Sequence, residues 1–247
     1  MMETGCGRQE EQFSKNWIKL VGCFFLIVFA SANQAQNLDP TRWEAAMAAF
    51  DAQDAASSPK EDGIVLTGSS SIARRNNQAA AALTPLTVIP RGFGGSVMGD
   101  ALYHLNRVAL RYKPRAILIY EGDNDTAFDI PKATIINQLQ QIVDRVHEEL
   151  PDTRIYVLAV KPSILRWSVW DAAQSVNTGY QAIANADPLV IYVDTATPFL
   201  KVDGTVMDDI FVSDNLHLND MGNLIWGSVI RAALMPEEAR FESSIHP

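Results

Sequence analysis

Ile64-Val65-Leu66-Thr67-Gly68-Ser69-Ser70-Ser71 is the stretch on which the fold reading turns. An unbroken aliphatic run reads as a strand buried on both faces, and the glycine and hydroxyl residues after it end the strand. The pattern recurs at Thr87-Val88-Ile89, Ala116 to Tyr120, Ile155 to Val160 and Val190 to Val193. Helical periodicity lies between these runs. Val97, Ala101, Leu105, Val108 and Tyr112 share a face, as do Ile136, Leu139, Val143, Val146 and Leu150, where Pro151 ends the helix. Further helices are expected over Trp170 to Ala186 and over Met221 to Leu234, the last stopped by Pro236. An earlier one is expected from Thr41, as cap, to Ala56, with Trp43, Met47 and Phe50 on one face. Strands alternating with helices predict an α/β fold, a three-layer α/β/α sandwich around a parallel five-stranded sheet.

The chain has 247 residues, which suits one large domain, and it is 47% hydrophobic and 20% charged, near the globular average. Its formal charge of -9 argues against a nucleic-acid partner, because neutralising phosphates needs clustered Lys and Arg. Residues 1–32 carry the order of a secretory signal. Lys15 and Lys19 precede an apolar run from Leu20 to Ala30, and Ala30-Ser31-Ala32 offers a small-x-small cleavage site, with Ala35 as the second choice. The run falls short of the about 20 apolar residues that span a bilayer, so no stable membrane insertion is expected after cleavage. Leu20-Val21-Gly22-Cys23 spells a lipobox, but its cysteine begins the apolar run instead of ending it. The leader predicts an exported chain, periplasmic or secreted; both cysteines, Cys6 and Cys23, fall in it, so the mature chain is expected to have no disulfide, which an oxidising compartment tolerates.

In a parallel sheet the ligand site lies beyond the carboxyl ends of the strands. Thr67-Gly68-Ser69-Ser70-Ser71 follows the first strand, and Arg91-Gly92-Phe93-Gly94-Gly95-Ser96 the second. Glu121-Gly122-Asp123-Asn124-Asp125 follows the third, and Asp214-Asn215-Leu216-His217 precedes the last helix. Together they supply the parts for acyl transfer. A serine hydroxyl needs an adjacent base, which His217 can be, and Asp214 can hold the imidazole in one tautomer. The N–H groups of Ser70 and Gly95 and the side-chain amide of Asn124 can serve as an oxyanion hole. Each segment alone has an ordinary explanation as a turn or cap; their joint occurrence at strand ends points to chemistry.

These blocks resemble the SGNH hydrolases, also called GDSL-type esterases and lipases. Gly68-Ser69-Ser70-Ser71 is similar to the first block, in a variant of one bacterial branch, with the nucleophile in the third place, Ser70. Gly95 stands in the second block, Gly122-Asp123-Asn124-Asp125 is the third, and Asp214 with His217 is the last. Val160-Lys161-Pro162-Ser163 through Arg166-Trp167 also looks like this branch. The resemblance runs from about Gly63 to Leu234. It implies a flavodoxin-like fold and hydrolysis of carboxylic esters with no metal or other cofactor. The choice of Ser70 between Ser69 and Ser71 rests on this family register. Pro90 stands where many relatives carry Asn, and Ser69 where they carry Asp. The expected organisation is a signal peptide over 1–32, a helical segment over 33–62 packed on the main domain, and an SGNH hydrolase domain over 63–247.

The expected partner is a small-molecule or carbohydrate ester of short acyl chains, with Trp167, Trp170 and Phe199 as candidate substrate-binding residues; Ile164, Leu165 and Phe211 are further candidates for an apolar wall, and all six read equally as core. Three other readings carry distinct signatures. An acyltransferase would use the same serine. A metal-dependent phosphoesterase would gather Asp123, Asp125, Asp208, Asp209, Asp214 and His217 around an ion. A non-catalytic carbohydrate-binding module would stack sugars on Trp167 and Trp170.

Overall fold

The computed structural model describes residues 38–244. The signal-peptide expectation for residues 1–32 lies outside them. Among the described residues no helix is long and apolar enough to cross a membrane.

Five strands form one parallel sheet: β1 (Ile64–Gly68), β2 (Val88–Gly92), β3 (Ala116–Tyr120), β4 (Arg154–Leu158) and β5 (Val190–Val193). Their order is β2-β1-β3-β4-β5, the flavodoxin-like arrangement. Every residue of β1 and β3 is buried. Period-two alternation explains why an uninterrupted apolar run is needed there. Val65, Ile117 and Ile119 enter one core with residues from α1 (Glu44–Ala56), α4 (Met98–Tyr103), α5 (Leu105–Val108), α7 (Lys132–Glu149) and α8 (Trp170–Ala186). Ile64, Leu66, Leu118 and Tyr120 enter the other, with α3 (Ala79–Ala82) and α9 (Asp220–Glu238). Each layer thus removes one face of the sheet from water, as the alternation of strands and helices predicts.

The structure revises several boundaries. The helix expected at Thr41 begins as a tight 3-10 turn, Pro40–Trp43, capped by Asp39, whose carboxylate accepts from the Thr41 N–H. Proline at its first position explains the shift, since it has no N–H to satisfy. The face from Val97 to Tyr112 is buried as expected, but it is broken at His104 between α4 and α5 and again at Ala109. Here the imidazole of His104 reaches the Pro40 carbonyl at 2.8 Å, so a contact with the N-terminal arm competes with helix continuation.

The expectation that Pro236 ends the last helix is overturned, because α9 runs through it to Glu238. Glu238 has no exposed surface and takes hydrogen bonds from Arg115 at 3.0 Å, Arg154 at 2.6 Å and Tyr156 at 2.9 Å. That anchorage of a buried carboxylate outweighs the one backbone hydrogen bond a late-turn proline forfeits.

The arm formed by the 3-10 turn and α1 buries Met47 and Phe50. Charge also holds it, with Asp51 bonded to Arg107 and Arg111, and Asp54 to Arg91, Arg111 and Tyr112.

Candidate active site

β1 and β3 are neighbours whose chain connections leave in opposite directions along the sheet, so a crevice opens beyond their carboxyl ends. Gly68, at φ +128°, closes β1 against β3: a Cβ there would stand 2.2 Å from the Tyr120 carbonyl oxygen. Only glycine allows this approach, and it aims the following hydroxyls into the crevice. The short helix α2 (Ser70–Ala73) starts on Ser70.

His217 Nε2 lies 2.9 Å from Ser70 Oγ. On the other side of the ring, Nδ1 lies 2.6 Å from Asp214 Oδ2. Asp214 Oδ1 accepts from the N–H groups of Leu216 at 2.9 Å and His217 at 2.8 Å, so the carboxylate both braces the turn and holds the ring. Burial opposes ionisation of Asp214, but these backbone and ring hydrogen bonds outweigh it and hold the carboxyl well below the ordinary carboxylate range. The loop carrying the pair is fixed by the Val212 N–H on the His217 carbonyl and by the Leu165 N–H on the Asn215 carbonyl.

Gly95 and Asn124 converge beside Ser70. The Gly95 N–H points at Ser69 Oγ at 3.3 Å, and Asn124 Nδ2 donates to Ser69 Oγ at 2.6 Å and to the Ser96 carbonyl at 2.8 Å. Ser69, which stands where relatives carry Asp, therefore gathers the two donors on one oxygen. Asn124 opens α6 (Asp123–Ala127) behind Gly122, whose φ of +106° turns the chain out of β3. An arrangement of hydroxyl, imidazole and carboxylate in line, with N–H donors beside the hydroxyl, can transfer an acyl group.

The substrate-wall expectations separate. Phe199 is fully buried in the core that contains α9 and is withdrawn from the crevice, a correction that follows from its place under the loop to Phe211. Trp170 is also buried, and Trp167 stacks on it with centroids 6.2 Å apart while keeping an exposed edge. Ile164 and Leu165 are exposed, and Phe211 is buried.

Asp123, Asp125 and Asp208, considered as metal ligands, are engaged elsewhere. Asp123 faces Lys161 and Arg166, Asp125 accepts the N–H groups of Met98 and Gly122, and Asp208 faces Lys201. Among the described residues no group of three His, Cys, Asp or Glu side chains converges on one point.

Three further residues at the crevice carry no role in the sequence reading. Trp43, from the N-terminal arm, lies against Gly95, within 3.4 Å of where a Cβ would stand. Arg74 brings its guanidinium to 3.9 Å from Asp214. It lines a polar cleft of about 410 Å3 with Arg75, His217, Asn219 and Asn223. Arg166 bonds the Asn124 side chain. Nothing local in the sequence flags Trp43, which reaches the crevice only through tertiary packing, whereas Arg74 follows Ser70 by one helical turn and is brought there by α2.

Behind the donors, Glu121 is fully buried and accepts from the Ser96 hydroxyl. Burial, then the neighbouring Asp125, push its carboxyl well above its ordinary 4.5. Asp125 is raised to about 6, chiefly by burial. A raised acid binds its proton more tightly in the folded chain, so the stability it contributes is complete below the unfolded pKa and is lost as pH rises toward the folded one. Glu121→Gln keeps an acceptor for Ser96 and cannot ionise. Above about pH 5, where the unfolded chain has lost this proton and the folded chain still holds it, its unfolding free energy should fall less steeply with pH than wild type's, the limit for one proton being about 1.4 kcal/mol per pH unit. Denaturant melts across that range check this, and parallel slopes would count against a protonated Glu121.

The GDSL-like lipase/acylhydrolase family matches residues 58–225, most of the chain, and the chain belongs to that family. Solved structures share its fold at low identity. A GDSL-like lipase from Bacteroides thetaiotaomicron is 16% identical with a TM-score of 0.67, covering 77% of this chain and 97% of its own. A catalytic mutant of an acetylxylan esterase from Geobacillus stearothermophilus is 14% identical with a TM-score of 0.57, covering 70% and 93%. A carbohydrate esterase family 3 protein from Talaromyces cellulolyticus is 17% identical with a TM-score of 0.57, covering 72% and 98%. A search of the curated proteins found no match. Family membership implies a hydrolase acting on small-molecule ester substrates.

Proposed function

We propose that the chain is a serine esterase that hydrolyses carboxylic esters, with Ser70 as nucleophile, His217 as general base and acid, and Asp214 as the group that orients the ring. The carrying observation is the continuous line from Ser70 Oγ to His217 Nε2 at 2.9 Å and from Nδ1 to Asp214 at 2.6 Å. Ser70 Oγ attacks the ester carbonyl as its proton passes to Nε2. The Ser70 N–H receives the negative oxygen together with the Gly95 N–H and Asn124 Nδ2, which exchange Ser69 Oγ for it. Collapse breaks the bond to the alcohol, which leaves with the proton from Nε2. Water, deprotonated by the same nitrogen, then attacks the acyl-enzyme; the bond to Ser70 Oγ breaks, Oγ takes the proton back from Nε2, and the acid is released.

Nε2 must protonate the departing oxygen, so the alcohol portion lies beside His217. The cleft there carries Arg74, Arg75, Asn219, Asp220 and Asn223 beside the apolar Val212 and Leu218, a mainly polar lining that suits a hydroxyl-rich alcohol better than a lipid. The acetylxylan esterase and the carbohydrate esterase family 3 protein among the fold neighbours agree with that preference. We therefore favour short acyl groups on a carbohydrate, and, with residues 1–32 read as an export signal, a substrate outside the cytoplasm.

The test is release of p-nitrophenol from acetate, butyrate and longer acyl esters, in the presence of chelator. Turnover that falls with chain length supports the reading. A folded protein with no turnover and no labelling by a fluorophosphonate sinks it, and acyl transfer to an added alcohol in place of water makes it an acyltransferase. Asn124→Ala should lower kcat by about 10²–10³-fold, the cost of one oxyanion donor. Nearly full turnover in that variant would remove Asn124 from the hole.

A further inference from the structure

The catalytic cycle above leaves unused a group of buried charges next to it. The Lys161 side chain has no exposed surface and the Asp123 side chain is 10% exposed, with Nζ 3.5 Å from the carboxylate. Arg166, 17% exposed, completes the group through Nη1, 2.5 Å from Asp123 Oδ1. Buried charges are costly unless paired, and apolar packing of the same volume is often as stable. What this group touches accounts for its presence.

Arg166 spreads its fork over two neighbours. Nη1 takes Asp123, and Nη2 donates to Asn124 Oδ1 at 2.7 Å. A side-chain amide has two nearly isosteric orientations. Turning Asn124 over would place its NH2 against the guanidinium, donor on donor, and its oxygen against the Ser96 carbonyl that Nδ2 now satisfies. Nδ2 is thereby committed to the side where Ser69, Ser70 and Gly95 lie. Asp123 is held from below by the Tyr120 hydroxyl at 3.0 Å. Lys161 donates to the carbonyl of Leu216 at 2.9 Å, one residue before His217.

We propose that Arg166 is a positioning residue for the oxyanion hole: it holds Asn124 with its amide N–H toward the reacting carbonyl, with Asp123 as its counter-charge, and Lys161 ties the same buried group to the loop that carries His217. The proposal rests on the esterase reading and adds to it a residue that touches neither substrate nor the triad. Hole and triad share one charged brace, so their spacing is kept when substrate enters.

The experiment uses the full chain with Asn124→Ala, Arg166→Lys, Arg166→Ala and the double variant Asn124→Ala/Arg166→Lys. Arg166→Lys keeps a cation opposite Asp123 but cannot span both partners. It should lose kcat by about 10²-fold, as expected for a misplaced catalytic group, with KM little changed. If Arg166 acts through Asn124, the double variant is no slower than Asn124→Ala alone, whereas a general structural role makes the two losses multiply. Affinity for an arylboronate, which forms a tetrahedral adduct on the serine, should fall in step with kcat/KM. Wild-type kcat in Arg166→Lys, or multiplying losses, overturns the proposal. Should Arg166→Ala fail to fold, the lysine cycle decides alone. A wild-type protein that neither turns over esters nor takes a fluorophosphonate sinks the esterase reading and this proposal with it. An active wild type indifferent to Arg166→Lys sinks only the proposal.

Discussion

Ser70→Ala should fold normally and lose about 10⁶-fold in kcat, and His217→Ala should lose nearly as much. The two losses should not multiply, because hydroxyl and imidazole act as one unit: without the base at 2.9 Å the hydroxyl keeps its proton, and without the hydroxyl the base has no nucleophile to activate. Ser70 is half-buried at the start of α2 and its hydroxyl has no part in the core, so stability should change little. Residual turnover would come from the donors alone. The measurement is kcat on a p-nitrophenyl ester alongside fluorophosphonate labelling of each variant. Retained labelling of Ser70→Ala would move the nucleophile to Ser69 or Ser71, and Ser69 is the less favourable of these because its oxygen already receives Gly95 and Asn124.

Asp214→Asn should lower kcat by about 10⁴-fold while leaving KM and the loop nearly unchanged. The two carboxylate oxygens have separate tasks. Oδ1 takes the backbone N–H groups of Leu216 and His217, and an asparagine oxygen there keeps both bonds. Oδ2 faces Nδ1 of the ring, and an amide NH2 in its place would donate to Nδ1 and force the proton onto Nε2. A protonated Nε2 cannot accept the Ser70 proton. Asp214→Ala would remove the turn as well as the tautomer control, so the asparagine variant isolates the second effect. A modest loss would mean that His217 keeps its tautomer by other means. The exposure of Asp214, 40% for the side chain, makes water the rival partner to test.

Much of the fold was legible locally. Ala116 to Tyr120 and Val190 to Val193 are strands with the bounds their apolar runs suggest, and Trp170–Ala186 is the helix its periodicity suggests. Boundaries failed where a distant partner decided them. α9 passes Pro236 because Arg115, Arg154 and Tyr156 hold Glu238, from segments more than eighty residues away. α4 stops at His104 because its ring meets Pro40 of the arm. Phe199 reads equally as pocket wall or as core, and the structure buries it fully.

The site divides in the same way. The residue types and their order along the chain place a serine after β1, a glycine after β2, an asparagine after β3 and an Asp-x-x-His before the last helix, because a parallel sheet must present its strand ends on one edge. That much follows from sequence, since buried strands and turn-forming glycines are local signals. Which way the Asn124 amide faces, that Ser69 gathers the Gly95 and Asn124 N–H groups, and that Arg166 and Trp43 stand beside them are decided by tertiary structure alone. Arg166 with Asn124 and Asn124 with Ser69 are directional contacts between side chains 42 and 55 positions apart. Hydrophobic patterning sets which residues are buried, but hydrogen-bond direction is fixed only once the packed elements bring donor and acceptor within reach.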